Sequence, residues 1–380
     1  MHFVLKISKQ CNLRCTYCYE YEELGDRERM PIERLERFFA GLADWYRQEE
    51  IRYPLRFVLH GGEPLLLPDE YLQEFAAAQR RHLGAGEVPF STTLQTNLTR
   101  IDAGRLRLLE ELGIGLGISF DVFGEDRVYL SGRDSRERVL DNLQLLFDTG
   151  AIRRLGVGGI SVLHAGNVED AVRTFHFWRL LGLDYRILPV FSLADPPPRM
   201  RHLMLEPPQI LGALRSVVDA MLETETSIRV YPLYHYLTAA VLKMSGHDGA
   251  IYDPSVAEWA LIVNTNGDAY THSGSYAEEG LLGNIFEQSM GEVMEGERRR
   301  QAIALRGRRA ETCERCAYSR SCSRLPLVEA LPSERATGAD GAPACPIAKP
   351  MIDYIVGQVI AGAEARAATR DGIAARIDDR

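Results

Sequence analysis

From residue 3 to residue 222, strand-like apolar runs alternate with helical patterns, and no other feature constrains the fold as tightly. The runs are Phe3–Ile7, Leu55–Leu59, Phe90–Gln95, Gly115–Phe120, Leu155–Leu163 and Tyr185–Val190. Pro31 opens the first helix, where its missing N–H is harmless, and Leu35, Phe38, Phe39, Leu42, Trp45 and Tyr46 follow at the 3.6-residue period. Further helical patterns cover 69–83, 103–112, 135–147, 168–181 and 210–222. Val, Ile and Leu fill the strand runs, so the expectation is strands buried on both faces in a parallel sheet with right-handed crossovers. Six such units fall short of the eight that close a TIM barrel. An α/β fold built as a partial, open (β/α)6 barrel fits that count.

The first run leads directly into Cys11-Asn12-Leu13-Arg14-Cys15-Thr16-Tyr17-Cys18, a C-x3-C-x2-C loop. Closed iron–sulfur and structural zinc sites take four protein ligands. Three thiols on one short loop therefore point to an iron left open for a small molecule, against a partial zinc site or three unrelated thiols. The other four cysteines, Cys313, Cys316, Cys322 and Cys345, cluster near the carboxyl end. The chain starts straight into its first strand, with no room for a signal peptide, so it is expected in the cytoplasm. There, clustered C-x2-C spacing means metal or iron–sulfur ligation and not disulfides.

With an aromatic residue just before its third cysteine, the loop resembles the signature of the radical S-adenosylmethionine (SAM) enzymes. The resemblance implies a [4Fe-4S] cluster on Cys11, Cys15 and Cys18, with SAM chelating the open iron and yielding a 5'-deoxyadenosyl radical. It implies the partial barrel as well. Leu59-His60-Gly61-Gly62-Glu63-Pro64 follows the second strand and resembles the family's GGEP motif, which binds the SAM amino group; Glu63 offers either its carboxylate or the loop's carbonyls to that ammonium. By the same resemblance Asn97, Ser119 and Asp121, at the ends of the third and fourth strands, are placed on the SAM carboxylate and ribose, while taken alone each either contacts a ligand or caps its loop. Tyr17 either packs on adenine or shields the cluster. Arg133 and Arg136 are candidates for a carboxylate clamp or simply for a solvated helix start, and Leu188 for adenine contact or the core. Tyr19, Glu20 and Tyr21 either reach substrate or open the connection to the first helix.

Beyond about residue 225 the alternation stops. A helix over 231–244 precedes a hairpin over 261–270, turning at Asn266-Gly267. With Cys313-x2-Cys316-x5-Cys322 and Cys345, this layout resembles the SPASM extension, or its shorter form twitch, of enzymes that modify peptides. Taken bare, the four cysteines suit zinc equally well; behind a radical SAM core they imply a second [4Fe-4S] cluster. A full SPASM extension has two auxiliary clusters. Here the hairpin has no cysteine, His272 and Pro326 standing where two are expected. The domains are therefore expected at 1–225 (radical SAM core), 226–350 (SPASM/twitch-like, α+β) and 351–380 (surface helical tail).

A net charge of −9 argues against a nucleic-acid surface, and the apolar runs are far shorter than the ~20 residues that cross a bilayer. Arg298, Arg299, Arg300, Arg306, Arg308 and Arg309 read as a solvated basic face, or one that meets an acidic partner. The resemblance implies a peptide maturase served by an electron donor such as flavodoxin or ferredoxin. Its substrate would be a ribosomally made precursor peptide, and its product a carbon–carbon (cyclophane) link, as in similar FxsB-like enzymes, or a thioether or ether. The rivals are a sulfatase-maturing enzyme that oxidises Cys or Ser in a protein and, in another class, an iron–sulfur carrier or zinc-stapled binding protein. No residue is singled out as the general base.

Overall fold

In the computed structural model, residues 1–85, 87–190, 197–224, 226–249, 260–271, 278–324 and 345–362 are described. The chain runs β1 (His2–Ser8), α1 (Ile32–Gln48), β2 (Leu55–Gly61), α2 (Asp69–Gln79), β3 (Phe90–Thr96), α3 (Ala103–Leu112), β4 (Ile114–Ser119), α4 (Arg136–Asp148), α5 (Ala151–Arg154), β5 (Gly158–Leu163), α6 (Ala171–Leu181) and β6 (Tyr185–Pro189). It continues through α7 (Pro207–Glu223), β7 (Val230–Tyr231), α8 (Leu233–Ser245), β8 (Ala260–Val263), β9 (Asp268–Tyr270), β10 (Leu281–Asn284), α9 (Met290–Glu295), α10 (Glu297–Cys313) and α11 (348–362). The expected alternation is present. Its fifth strand starts late, at Gly158, because Ala151–Arg154 takes a helical turn first. Local chemistry sets the ends: Asp102 accepts from the Arg105 N–H at the start of α3, and left-handed Gly113 ends that helix.

Contacts divide the chain into two compact units, one of Met1–Val162, Pro197–Arg201 and Asp253–Arg308, the other of Leu163–Pro196, His202–Tyr252 and Arg309–Arg380. These boundaries differ from the expected 1–225, 226–350 and 351–380. The reason is local: β8 pairs parallel with β1, from His2↔Ala260 to Leu5↔Val263, so the hairpin extends the first sheet.

In the first unit the strand order is β10-β9-β8-β1-β2-β3-β4-β5. Neighbours from β8 to β5 pair parallel, and β9 and β10 antiparallel. Successive strand residues face opposite sides, and the two sides differ. Phe3, Leu5, Ile7, Phe57, Leu59, Leu94, Leu116 and Ile118 are buried on one. Under α1 and α2 this side carries a chain of ring contacts, Phe3 stacking on Phe57 at 5.2 Å and Phe39 meeting Phe57 and Phe75 edge-on. The other side carries Lys6, paired with His60 in register, and Gln95, paired with Gly117. Strands apolar on both faces were expected; one face instead bears polar groups.

Of the basic run in α10, Arg298 and Arg300 are exposed, but Arg299 is buried and donates to the Met294 carbonyl at 3.0 Å. The solvated face thus excludes Arg299, and the side chains of Arg306, Arg308 and Arg309 lie outside those described. In the second unit β6 pairs parallel with β7, and Trp178 stacks on Tyr185 at 5.8 Å. Met351, Ile352 and Ile355 of α11 are buried, and the Tyr354 hydroxyl donates to Asp219 at 2.6 Å. The start of the expected surface tail is therefore core; 363–380 lie outside the described residues. Among the described residues no helix is long and apolar enough to cross a membrane.

Candidate active site

The first cysteine loop leaves β1 and is held on one side by the segment 126–129. Arg14 N–H donates to the Val128 carbonyl at 2.7 Å, Thr16 N–H to that of Asp126 at 3.2 Å, and Leu13 bridges Tyr129. Inside the loop, Arg14 Nη1 donates to the Cys11 and Leu13 carbonyls at 2.8 Å each. Its exit is held by an ion pair between Lys6 of β1 and Glu20, both almost fully buried. Glu20 thereby belongs to the scaffold, while Tyr19 is exposed under the Lys6 ammonium and Tyr21 lies under Arg199. The three thiols are half-buried. Burial raises the pKa of all three, Cys11 to about 12 and Cys18 to about 11. The bare loop thus holds protonated thiols, and ligation would release their protons.

The Gly61–Pro64 loop packs on the backbone that enters this cysteine loop. Gly62 N–H donates to the Ser8 carbonyl and Glu63 N–H to that of Gln10, both at 2.8 Å. A Cβ on Gly61 would stand 2.0 Å from the Ser8 oxygen, and one on Gly62 2.2 Å from that of Gln10. Gly61 also has φ +125°, so only glycine suits it. The close approach that these glycines permit is backbone to backbone. Glu63 is fully buried and accepts from Thr96 Oγ1 and Asn97 N–H at 2.7 Å each and from Leu65 N–H at 3.0 Å. Burial raises its pKa, with these three donors opposing the shift. Pro64 is buried and opens the short turn that follows. Asn97 faces the cysteine loop, its Nδ2 3.0 Å from Asn12 Oδ1 and 3.8 Å from Cys11 Sγ.

Tyr17 and Asp121, named separately from the sequence, meet: the Tyr17 hydroxyl donates to Asp121 Oδ2. Asp121 Oδ1 accepts from Val162 N–H at 2.7 Å. Arg127 completes the group, its Nη1 2.9 Å from the Tyr17 hydroxyl and 3.5 Å from Asp121 Oδ2. Sequence reasoning missed Arg127; the signal available was a lone cation in an otherwise acidic Gly-Glu-Asp stretch. It also missed Lys6 and His60. His60 Nδ1 accepts from Gly61 N–H at 2.8 Å, which leaves the proton of the neutral ring on Nε2. Ser119 is half-buried and accepts from Gln95 at 2.7 Å. Arg133 is exposed over the Tyr129 ring, and Arg136 donates to the Gly124 carbonyl at 2.7 Å. Leu188, on β6, is 44% exposed and so is no core residue.

In the second unit the charges of Cys345, Cys313 and Cys316 all reach Cys322. Burial raises the pKa of Cys322, opposed by the Arg324 N–H, and Cys345, Cys313 and Cys316 each raise it further by their charge. The Tyr236 hydroxyl is pushed up by burial and then by Cys345 and Cys322. Backbone N–H groups donate to two of the sulfurs, Arg324 N–H to Cys322 Sγ two residues back and Lys349 N–H to Cys345 Sγ four residues back, each at 3.4 Å. Tyr318 and Lys349 both bind Asp353, at 2.6 and 2.9 Å, tying the C-x2-C turn to α11. The hairpin β8–β9 forms as expected, but His272 and Pro326 lie outside the described residues.

Among the described residues no three His, Cys, Asp or Glu side chains are arranged around a single metal ion. A four-iron cluster does not require that, because each thiolate takes a different iron. Soft thiol donors on a braced loop, beside a second loop fixed to the same backbone, fit such a cluster.

Residues 5–177 match the radical SAM superfamily, and that match indicates an enzyme. The chain is 22% identical over 335 residues to the cysteine-type anaerobic sulfatase-maturating enzyme of Clostridium perfringens, covering 83% of this chain and 85% of that one. It shares its fold with the solved structure of native anSMEcpe with bound AdoMet, at TM-score 0.74 and 20% identity over 96% of this chain and 99% of that one. Streptococcus suis SuiB bound to precursor peptide SuiA matches at TM-score 0.56 and 14% identity, covering 85% and 70%.

Proposed function

We propose that the protein uses SAM to oxidise a side chain in a peptide or protein substrate. The observation that carries this is the three-thiol loop, braced by 126–129 on one side and by Lys6–Glu20 at its exit. When bound there, a reduced [4Fe-4S] cluster and SAM supply a 5'-deoxyadenosyl radical, which takes a hydrogen atom from the substrate. Cys11, Cys15 and Cys18 hold the cluster. The carbonyls of the Gly61–Pro64 loop meet the SAM amino group, since three donors already occupy the Glu63 carboxylate. Ser119 keeps a free hydroxyl proton for the SAM carboxylate, whereas Arg133 stands exposed over Tyr129. The Tyr17 ring is the apolar surface offered to adenine. In the second unit Cys313, Cys316, Cys322 and Cys345 close a second [4Fe-4S] cluster for electron transfer or support, and flavodoxin or ferredoxin is the donor class.

Two products are in view. Similarity along most of both chains to a cysteine-type sulfatase-maturating enzyme favours oxidation of a Cys or Ser to an aldehyde. The supply of only four cysteines outside the first loop favours a cross-linking maturase, carbon–carbon by preference, because the sulfatase-maturing group keeps two auxiliary clusters. Anaerobic reconstitution, reduction with dithionite and assay for 5'-deoxyadenosine tests the common part; no deoxyadenosine from iron-loaded protein would refute it and leave a carrier or zinc-stapled protein. Co-expression with a neighbouring small open reading frame or with a sulfatase, followed by mass spectrometry with a hydrazide, separates the products. An aldehyde captures hydrazide, while a cross-link loses two hydrogens and does not.

A further inference from the structure

Arg127 is a cation buried beside the cysteine loop, 8% exposed. Its backbone is pinned at the start of α4, where Ser135 Oγ donates to the Arg127 carbonyl at 2.8 Å. Its neighbours on the strap, Asp126 and Val128, accept backbone hydrogen bonds from Thr16 and Arg14, the two residues that flank Cys15. The guanidinium is therefore fixed relative to Cys15 by ladder geometry, and its head is fixed again by Tyr17 and Asp121. Arg127 thus stands opposite Cys15 across the strap, a buried cation with Asp121 as its counter-charge.

A cluster's reduction potential depends on net charge and on hydrogen bonding around its sulfurs. One-electron reduction, with dithionite as the electron source, adds one negative charge to the cluster and none to the protein. A fixed buried cation beside one ligand stabilises that added charge, and low local dielectric strengthens the effect. We propose that Arg127 is a positioning residue that raises the reduction potential of the cluster on Cys11, Cys15 and Cys18, and that Asp121 and the Tyr17 hydroxyl hold it in place instead of contacting SAM. This rests on the reading that the first loop holds a [4Fe-4S] cluster.

The test is a mediated dithionite titration of the reconstituted full chain, followed by electron paramagnetic resonance, with iron content measured in parallel. Arg127→Met should move the midpoint of the first cluster to more negative values, with severalfold less reduced cluster at a fixed potential near the parent midpoint. Arg127→Lys should restore most of it, because charge and not shape is at work. Asp121→Asn, which keeps the cation and removes its counter-charge, should move the midpoint in the opposite direction and serves if the methionine variant fails to fold. An unchanged midpoint in iron-loaded Arg127→Met, equal shifts in the Met and Lys variants, or a negative shift in Asp121→Asn would overturn the inference. Parent protein with no iron on the first loop would instead overturn the reading beneath it.

Discussion

The Asn97 N–H donates to Glu63 Oε2 across 2.7 Å, so one buried carboxylate joins the end of β3 to the Gly61–Pro64 loop. With Thr96 and Leu65 on the other oxygen, Glu63 is the node on which two strand ends and the cysteine-loop entry are registered.

Glu63→Gln places an amide NH2 where a carboxylate oxygen accepted, so at least one of the three donors loses its acceptor. A buried unsatisfied donor costs about 1–3 kcal/mol. Urea unfolding of the variant should show a loss of that size, together with weaker SAM binding as the loop carbonyls shift. Parental stability would mean that Glu63 is not the node described.

Lys6→Met should be more damaging, about 3–5 kcal/mol, because it leaves the buried Glu20 carboxylate without its counter-charge. Lys6→Met/Glu20→Gln removes both charges and should recover most of the loss. A double-mutant cycle measures the coupling. Additive single effects would show that the pair does not clip the loop.

Much of this was legible in residue patterns. The cysteine spacing located both thiol sets, and the alternation located the strands, because each depends only on neighbours in sequence. The polar strand face was not legible: Lys6, His60 and Gln95 each sit on a different strand, and only strand register sets them in a row. Arg127 escaped for the same reason, since its value lies in a 110-residue contact with Tyr17. The α11 tail misled because its Ala-rich, charged end, 363–380, masks the apolar Met351, Ile352 and Ile355 at its start.

His60 supplies a pH test. Burial, with Lys6 second, pushes its pKa down from 6.5 to about 4. Between those values the unfolded chain binds the proton and the folded chain does not, so stability rises with pH across the window and is lost as pH falls from about 6.5 toward 4. The loss is at most about 3 kcal/mol at the acid end. Urea midpoints of the chain before cluster loading should fall over this range, and His60→Gln should flatten the profile. Equal slopes for parent and variant would exclude His60 as the titrating group.

The last prediction concerns iron. The charges of Cys345, Cys313 and Cys316 all act on Cys322, although Cys345 is exposed and the other three are half-buried. A site of four thiolates has no position left for a substrate, whereas the first loop, with three, keeps one. Two [4Fe-4S] clusters give about eight irons per chain. Changing Cys11, Cys15 and Cys18 together to Ala should leave about four irons and no SAM cleavage, with far-ultraviolet circular dichroism unchanged because the loop lies outside the aromatic core of the first unit. Changing Cys313 and Cys316 to Ala should remove the other four and loosen the α11 contacts through Tyr318. About four irons with one zinc in the parent would make the second site a structural staple, and about twelve irons would require a third cluster for which the chain offers no cysteines.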